Sequence, residues 1–385
     1  MDRYELVTAP ESFLALRAPW DALCARSPGH FLGQTFAWAR LCWDTVARPR
    51  GRGLACVAAW HDGRLVLVWP LATLRDGAGA AIARPLDSET SEYADVLVED
   101  GPLARQRVAA AVRLIAQSCL CDRLELPNVR SAALLGQLLA TQPSPVRSIA
   151  MGSLAAVSVR WQGIASWDDY AASLDSHERR ELGRKKRRFE EAGPVRLDIL
   201  RDPLEATAAI DWSLAQKLAW LEDTGRENEW IAPPGHREFL AASLSAFGAK
   251  GERLVFVLRL REAIVATLLC SLDGARMEWF MCASAPEHAR LSPAQLLRER
   301  VLQWAWERRM DCDFRMGDQR FKAFWGNHVE QTSTWVVAVS ARGRAFVMAT
   351  RVRRGLAARL SPQARARLRN VVRRWSAPAL QRPAP

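Results

Sequence analysis

The sequence predicts an α/β protein with two related domains and a basic tail. Its 385 residues, 49% of them apolar, exceed one average domain of about 100–200 residues and suffice for a large core. Hairpin strands that lead into a helix and a further strand occur in both halves, which favours two similar α/β units. We therefore expect domains at residues 1–160 and 161–340, followed by a tail at 341–385.

The positive charge of the chain is concentrated in this tail. The formal net charge is +12, and 12 arginines lie between Arg342 and Arg382, whereas no acidic residue follows Glu330. The remaining residues carry 42 basic and 42 acidic side chains. The body is thus neutral, which weakens any argument for nucleic-acid binding from net charge alone.

The first half begins with a predicted helical region at 31–46 and a β-hairpin. The apolar runs 54–60 and 65–71 flank His61-Asp-Gly-Arg64, and Asp-Gly between apolar runs is a strong hairpin signal. We further predict a strand at 91–98, a helix at 102–118, a strand at 123–126 and a short helix from Ser131.

The second half repeats this order with clearer boundaries. Three apolar runs end at the turns Arg261-Glu262 and Asp273-Gly274 or at the next loop, and they predict three antiparallel strands. The expected elements are helices at 167–191 and 203–221, strands at 254–260, 264–272 and 276–283, a helix opening at Ser292, a strand at 311–316, a turn and short helix at 317–328, and a strand at 334–340.

Several classes of function are disfavoured by missing motifs. No G-x-S-x-G, P-loop or G-x-G-x-x-G is present, and the eight scattered cysteines form no C-x-x-C or zinc spacing. We expect reduced, buried thiols and no metal. The first residues lack a signal-peptide pattern, and no apolar run approaches about 20 residues, so we expect a cytoplasmic protein.

A candidate binding site opens the helix at Ser292. Ser292-Pro-Ala-Gln295 combines an N-cap residue, proline at the first helical position and a capping-box partner. A strand ends just before, near Ser284, so backbone N–H groups and the positive end of the helix dipole converge there. The junction suits a diphosphate, to which Arg290 would add charge; a capped helix without ligand is the alternative.

A second candidate site follows the strand at 311–316. Asp318 and Lys322 are four residues apart and would share one helical face, with Trp325 a turn further on. Such a pair is usually a surface ion pair, but lysine occurs five times in this chain and the pair sits beside Gly317 at a strand end.

Two basic stretches have several interpretations. Residues 179–188 carry seven basic side chains, Arg184 and Arg187 among them, which could bind an acidic or phosphorylated substrate, contact nucleic acid or face solvent. Few aromatic residues interleave, which disfavours single-strand binding. The tail at 341–385 could form a basic amphipathic helix on an anionic membrane, or a helix packed on the body.

Three segments together resemble a known family. They are Ser173-Leu-Asp-Ser-His-Glu-Arg-Arg-Glu-Leu-Gly-Arg-Lys-Lys-Arg-Arg-Phe-Glu190, Leu291-Ser-Pro-Ala-Gln-Leu-Leu297 and Asp313-Phe-Arg-Met-Gly-Asp-Gln-Arg-Phe-Lys-Ala-Phe-Trp325. They are similar to GNAT acyltransferases of the CelD/BcsL type, associated with cellulose biosynthesis, and these resemble Fem aminoacyl transferases with tandem GNAT domains. Phe36-Ala-Trp38, the run 62–71 and Glu92-Tyr-Ala-Asp-Val-Leu-Val98 fit the amino-terminal domain of that family.

The resemblance implies tandem GNAT-like domains with mixed, largely antiparallel sheets and flanking helices, and an acyl-CoA-dependent N- or O-acyltransferase. Acetyl-CoA or another acyl-CoA would be the donor, and an amine or hydroxyl compound the acceptor, in exopolysaccharide, cellulose or glycan-precursor synthesis. Two departures stand out. Arg290-Leu-Ser-Pro-Ala294 replaces a glycine-rich diphosphate loop, and Phe321 stands where the family commonly has tyrosine.

The catalytic roles of individual residues are hypothesised from their positions alone. Asp318 or Glu278 would act as the base, and Lys322 would supply charge or a proton. Backbone N–H groups near residues 283–285 would hold the thioester carbonyl. The expected cofactor residues are Ala283, Ser284, Arg290, Leu291, Ser292, Ala294 and Gln295, and the expected substrate residues are Trp325, Arg184 and Arg187.

Two other functions stay open at this stage. A Fem-like aminoacyl-tRNA-dependent transferase would use the basic helix at 179–188 to contact tRNA, although the chain has no long helical-hairpin insertion. A non-catalytic scaffold would dock at a membrane synthase through its arginine tail, which would make the protein membrane-peripheral.

Overall fold

A computed structural model describes residues 2–27, 29–141, 148–224, 234–247 and 251–359. These residues form one mixed sheet with helices on both faces. The strands are β1 (Arg3–Val7), β2 (Gly53–His61), β3 (Arg64–Arg75), β4 (Ala81–Pro85), β5 (Leu97–Val98), β6 (Arg123–Arg130), β7 (Ser148–Val159), β8 (Val195–Leu200), β9 (Glu252–Leu260), β10 (Ala263–Asp273), β11 (Arg276–Ser284), β12 (Asp311–Met316) and β13 (His328–Ala338).

The helices alternate with these strands along the chain. They are α1 (Pro10–Ala15), α2 (Arg17–Arg26), α3 (Phe36–Cys42), α4 (Ala104–Gln117), α5 (Leu134–Thr141), α6 (Trp167–Ser173), α7 (Ser176–Glu191), α8 (Pro203–Thr224), α9 (His236–Ala246), α10 (Pro293–Glu307), α11 (Arg320–Trp325) and α12 (Ala341–Arg359). The predicted α/β class, with a mixed and largely antiparallel sheet, is confirmed.

The order of strands across the sheet repeats a single pattern. It runs β1-β2-β3-β4-β6-β13-β7-β12-β11-β10-β9-β8, with β5 paired to β3. Each half contains one parallel pair, β4 with β6 and β11 with β12, and the other pairings between described strands are antiparallel. The repeat of element order predicted from sequence is therefore confirmed.

The two halves exchange their last strands. β7, which follows β6 in the chain, pairs with β12, whereas β13, which follows β12, pairs with β6. β7 and β13 also pair with each other over ten residue pairs, from His328↔Ser158 to Val337↔Ser148. Strands on either side of residue 160 are thus hydrogen-bonded to strands of the other half. The division into two domains at that residue stays a prediction.

Most predicted elements form close to their expected bounds. At the first hairpin, Asp62 and Gly63 have φ of 48° and 78°, the left-handed pair that an Asp-Gly hairpin turn requires. The helix expected at 167–191 is divided, because the Asp175 side chain caps α7 by accepting from the N–H groups of His177 and Glu178. The strand expected at 91–98 is wrong except for its last two residues, which form β5.

Three large apolar clusters fill most of the space between sheet and helices. One unites helices of both halves on one face, where the Trp38 ring stacks on Phe247 at 5.3 Å and meets Phe239 edge-on at 5.1 Å. On the other face, α4 and α5 cover the first half, and α7, α10 and α11 cover the second. This packing fixes the helices that flank β11 and β12.

The last described helix, α12, packs against β13 but leaves an apolar stripe exposed. Met348, Val352 and Leu356 are 45%, 57% and 58% exposed and lie at four-residue spacing. Arg351 and Arg354 donate to carbonyl oxygens at the start of β7. The predicted helical tail is confirmed through residue 359, and its continuation lies outside the described residues. Among the residues described, no helix is long and apolar enough to cross a membrane.

Candidate active site

The candidate site lies where β11 and β12 separate. These parallel strands pair over three positions, Arg276↔Asp311 to Glu278↔Asp313, and then diverge, while β11 stays paired with β10 to its end. In β12 the register shifts after Asp313, and Arg315 has φ of 63°. A left-handed arginine is uncommon, and such backbone strain is concentrated at functional sites.

The separation creates a cleft of about 470 Å³. This volume lies within the range of roughly 300–1,000 Å³ found for small-molecule sites. Its walls come from α8, the end of β11, the start of α10, β12 and α11. The described lining residues include four cationic side chains and one carboxylate, which favours a ligand with an anionic group: Lys217, Arg298, Arg315, Lys322 and Glu92.

Lys322 lies at the base of the cleft and is only 5% exposed. Its Nζ donates to the carbonyl oxygens of Arg315, at 3.2 Å, and of Met316. Because an ammonium group has three N–H donors, these two bonds leave a third for a ligand in the cleft. Burial lowers the pKa of Lys322 from 10.5 to about 8, against the opposing effect of Glu92.

A charged group links both halves at the floor of the cleft. Arg315 Nε donates to Glu278 Oε1 at 2.5 Å, and Arg315 Nη1 lies 3.7 Å from Glu92 Oε1. The Arg315 side chain is 2% exposed, so it is desolvated and held by two carboxylates. Glu92 comes from the segment between β4 and β5, which places a first-half carboxylate in the second-half cleft.

A second polar network supports this floor from behind. The Tyr93 hydroxyl donates to both carboxylate oxygens of Asp313, at 2.9 and 3.0 Å. Arg130 Nη2 donates to Asp313 at 3.1 Å, and its guanidinium lies 3.9 Å above the Tyr93 ring. Burial raises the pKa of Asp313, while Arg130 opposes the rise. These contacts join β6, β12 and the segment that carries Glu92.

Arg298 and Phe321 form one wall of the cleft. The Arg298 guanidinium stacks over the Phe321 ring at 4.0 Å, and its Nη2 lies 3.7 Å from Cys282 Sγ. Its Nε is buried without a hydrogen-bond partner in the described structure. Phe321, the position where the resembled family commonly has tyrosine, thus packs against a cation and also stacks with Trp279.

Four of the predicted site residues line the cleft, namely Lys322, Ala283, Ser284 and Ala294. Glu278 lies on β11 beside the cleft and is bound to Arg315 instead of lining the cavity. The N–H of Ala285 donates to Val265 O at 3.0 Å, so this amide of the predicted carbonyl-binding group is already occupied.

The predicted capping box at Ser292 is wrong. Ser292 is the N-cap of α10 and directly follows a short 3₁₀ turn (Pro286–Leu291). Its φ of 54° lies in the left-handed region, unlike the extended backbone of an ordinary N-cap, and its side chain makes no cap bond. Gln295 Oε1 instead accepts from Lys185 Nζ at 3.0 Å. Arg290 is exposed, and Leu291 packs against the core.

The predicted Asp318–Lys322 pair does not form. α11 begins at Arg320, so Asp318 precedes the helix and is exposed, whereas Lys322 points into the cleft floor. Trp325 was expected to bind substrate, yet it is 2% exposed and packs in the core against Tyr170 and Phe324. The polar residues near Trp325 in the sequence suggested an accessible ring, whereas the ring is buried.

The basic stretch of α7 lies outside the cleft lining. Arg184 is exposed and paired with Glu181, and Arg187 is exposed. Lys185 and Lys186 instead face Gln295 and Glu299 of α10. The basic stretch therefore divides into two lysines that contact α10 and arginines at the surface.

The most informative residues missed by sequence reasoning are Glu92, Arg315 and Tyr93. Glu92 and Tyr93 were assigned to a strand, and Arg315 to the interior of another. Tyrosine occurs three times in the chain, so its rarity was a usable signal for Tyr93 and for Glu92, the acidic residue that precedes it.

The fold and the cleft define an α/β protein of GNAT-like architecture. Residues 176–323 match the family model described as "Acetyltransferase (GNAT) domain", a range that includes α7 and the cleft strands β11 and β12. This part of the chain is therefore similar to a GNAT acetyltransferase domain. No curated protein matches the chain in sequence.

Solved structures share the fold over almost the whole chain. FemX is similar with a TM-score of 0.58 and 12% identity, over 89% of this chain and 99% of that chain. L-PGS from Bacillus licheniformis gives 0.51 and 12%, over 90% and 96%. A conserved protein of unknown function from Bacteroides thetaiotaomicron VPI-5482 gives 0.52 and 13%, over 88% and 100%. At these identities the likeness concerns the fold, and the CelD/BcsL assignment stays a prediction.

Proposed function

We propose that the protein is an acyl-CoA-dependent N- or O-acyltransferase whose active site is the cleft between β11 and β12. The observation that carries this proposal is the separation of two parallel strands after three residue pairs, with Lys322 at the base of the opening. The GNAT-type match over residues 176–323 includes both of these strands and every described lining residue except Glu92.

The edge of β11 suits an extended donor. Beyond Glu278, none of the described strands pairs with β11 on its β12 side, so backbone groups along that edge are proposed to pair with amides of a ligand. The pantetheine arm of acyl-CoA carries two such amides. The start of α10, where Ala294 lines the cleft and Arg298 follows one turn later, is the proposed place for the diphosphate.

Lys322 is the proposed proton source. The acceptor attacks the thioester carbonyl, the C–S bond breaks, and the leaving thiolate needs a proton. A pKa of about 8 keeps Lys322 protonated at neutral pH and close to the ordinary thiol value of about 8.5, so transfer to the thiolate is nearly balanced. The proposed acceptor is an amine or hydroxyl compound; acetyl transfer and a role in cellulose or exopolysaccharide synthesis rest on the sequence resemblance.

An aminoacyl-tRNA donor is the second candidate. It is supported by the structural similarity to FemX over 89% of this chain and by exposed arginines on α7, Arg184 and Arg187. The lysines of the same helix contact α10, which reduces the surface left for a phosphate backbone. We therefore favour acyl-CoA.

Ligand binding and transfer separate these functions. We would titrate the protein with acetyl-CoA, longer acyl-CoAs and tRNA by calorimetry, and measure thiol release with amine and hydroxyl acceptors. We expect a CoA ester to bind and Lys322→Ala to lose at least about tenfold in kcat, because the proton donor is removed. Binding of tRNA without any CoA ester would favour the second candidate, and binding of neither would favour the scaffold.

A cavity-filling variant tests the location. Ala283→Trp places an indole in the cleft and should abolish CoA-ester binding, whereas Ala263→Trp, at an exposed position at the start of β10, should leave it unchanged. Equal binding by both variants would exclude this cleft as the donor site.

A further inference from the structure

We propose that Glu92, supplied by the first half of the chain, accepts the proton of the attacking amine or hydroxyl group in the second-half cleft. This inference rests on the proposed function and deepens it. Asp318 and Glu278 were the carboxylates expected for this role from the sequence, but neither is among the residues that line the cavity. Asp318 is exposed ahead of α11, and Glu278 is bound to Arg315.

Glu92 carries the sole carboxylate among the described residues that line the cleft, and no histidine or tyrosine is among them. Apart from two lysines and the Cys282 thiol, Glu92 is therefore the described lining side chain that can take a proton from a nucleophile bound in the cleft. Glu92 retains 23% exposure of its side chain, which is open to the cavity.

The charges around Glu92 suit a base. Of the two carboxylates that face Arg315, Glu278 takes the short contact of 2.5 Å, and Glu92 the longer one of 3.7 Å. Glu92 thus lies beside Arg315 without being bound to it as tightly as Glu278. Burial raises the pKa of Glu92, with Arg315 and Lys322 opposing and Glu278 adding to the rise. A raised pKa makes a carboxylate a stronger base.

The backbone around Glu92 is fixed in a way that aims its side chain. Glu92 O accepts from Asn128 Nδ2 at 3.0 Å, the neighbouring Tyr93 hydroxyl binds Asp313, and the N–H of Ala94 donates to Pro127 O at 3.1 Å. These bonds run to the β6 region and to β12, so the segment between β4 and β5 is held on both sides. A general base must be placed to within a fraction of an ångström of the position from which it can take the proton.

The step is balanced. The acceptor N–H or O–H proton moves to a Glu92 oxygen as the new C–N or C–O bond forms, the C–S bond breaks, and the thiolate takes a proton from Lys322. Exchange with solvent then returns the proton from Glu92 and reprotonates Lys322, which restores both residues. Neither half of the chain holds all of these groups, so the site is complete in the full chain alone.

The test compares Glu92→Gln with Glu262→Gln, which removes an equivalent carboxylate from an exposed turn. With acetyl-CoA and an active acceptor, we expect Glu92→Gln to lower kcat at least about 100-fold, with KM for acetyl-CoA changed less than about threefold, and to remove the acidic limb of the pH profile. Glu262→Gln should match the wild type. Formate should restore part of the rate of Glu92→Ala, which a merely structural role would not allow.

The outcomes are distinct from failure of the proposed function. A wild type that neither binds nor consumes acyl-CoA overturns that function and with it this step. An active wild type whose Glu92→Gln variant keeps its rate and acidic limb overturns the role of Glu92 alone. Should Glu92→Gln not fold, Glu92→Asp keeps the charge beside Arg315, and an unchanged kcat in that variant overturns the proposal as well.

Discussion

The burial of Lys322 leads to a specific dependence of stability on pH. Lys322 is 5% exposed and donates to two backbone carbonyls, and its pKa falls from 10.5 to about 8 on folding. Lys322→Met keeps the length of the side chain and removes the charge. The two carbonyls lose a donor at every pH, so this loss is a constant offset.

The magnitude follows from the two pKa values. Their difference of about 2.5 corresponds to about 3 kcal/mol, since one pKa unit is about 1.36 kcal/mol. Below pH 8 both states hold the proton, and the folded state bears the full cost of the buried ammonium. Between pH 8 and 10.5 the unfolded state binds more protons, so the wild type gains stability with rising pH. Relative to the wild type, Lys322→Met should therefore lose about 3 kcal/mol between pH 7 and 10.5.

Urea unfolding followed by the fluorescence of the 16 tryptophans measures this difference at pH 7, 8, 9 and 10.5. Subtracting the two proteins at each pH removes every titration they share. The matched control is Lys186→Met, whose Nζ lies 3.8 Å from Glu299 with 44% of the side chain exposed, and its difference should change by less than about 1 kcal/mol. A flat difference for Lys322→Met would refute a lowered pKa at this position.

Two further predictions concern the supporting network and the last helix. Tyr93→Phe should lower the free energy of unfolding by about 1–3 kcal/mol, because Asp313 loses a buried hydrogen-bond donor. The control is Tyr4→Phe, which removes a hydroxyl group without a described hydrogen bond. Equal losses of stability in the two variants would contradict this prediction. The exposed apolar stripe of α12, which is flanked by arginines, should bind anionic vesicles, so replacing Met348, Val352 and Leu356 by Ser should reduce flotation with such vesicles at low salt. Leu204→Ser, at an 82% exposed position, is the control and should not reduce flotation. Unchanged flotation of the triple variant would exclude this stripe as the membrane-binding surface.

Local pattern predicted most elements of the second half well, although it missed β8 and α9. The apolar runs that became β9, β10 and β11 are bounded by turn residues, and Gly274 and Arg261 adopt the positive φ of tight turns. Lys322 was found through its rarity and its place after a strand. In both cases the signal lies within a few residues of the feature, which is the range that periodicity and turn chemistry report.

The chemical environment of the cleft could not be predicted in this way. Tyr93 and Asp313 are 220 residues apart, and their contact exists because the exchanged strands bring β6 and β12 to opposite sides of β13 and β7. The Asp318–Lys322 pair failed for a local reason, since the four-residue rule needs both residues inside a helix and α11 starts at Arg320. Strand exchange leaves no local trace in the sequence.

That exchange also governs how the chain can fold during synthesis. β6 leaves the ribosome about 200 residues before its partner β13, so one edge of the first-half sheet has no strand to pair with until the end of the body is made. An open edge invites pairing with other chains, and domains otherwise fold from the amino terminus onward. Truncation before residue 338 should therefore yield a first half that associates or is degraded, whatever the condition of its own core.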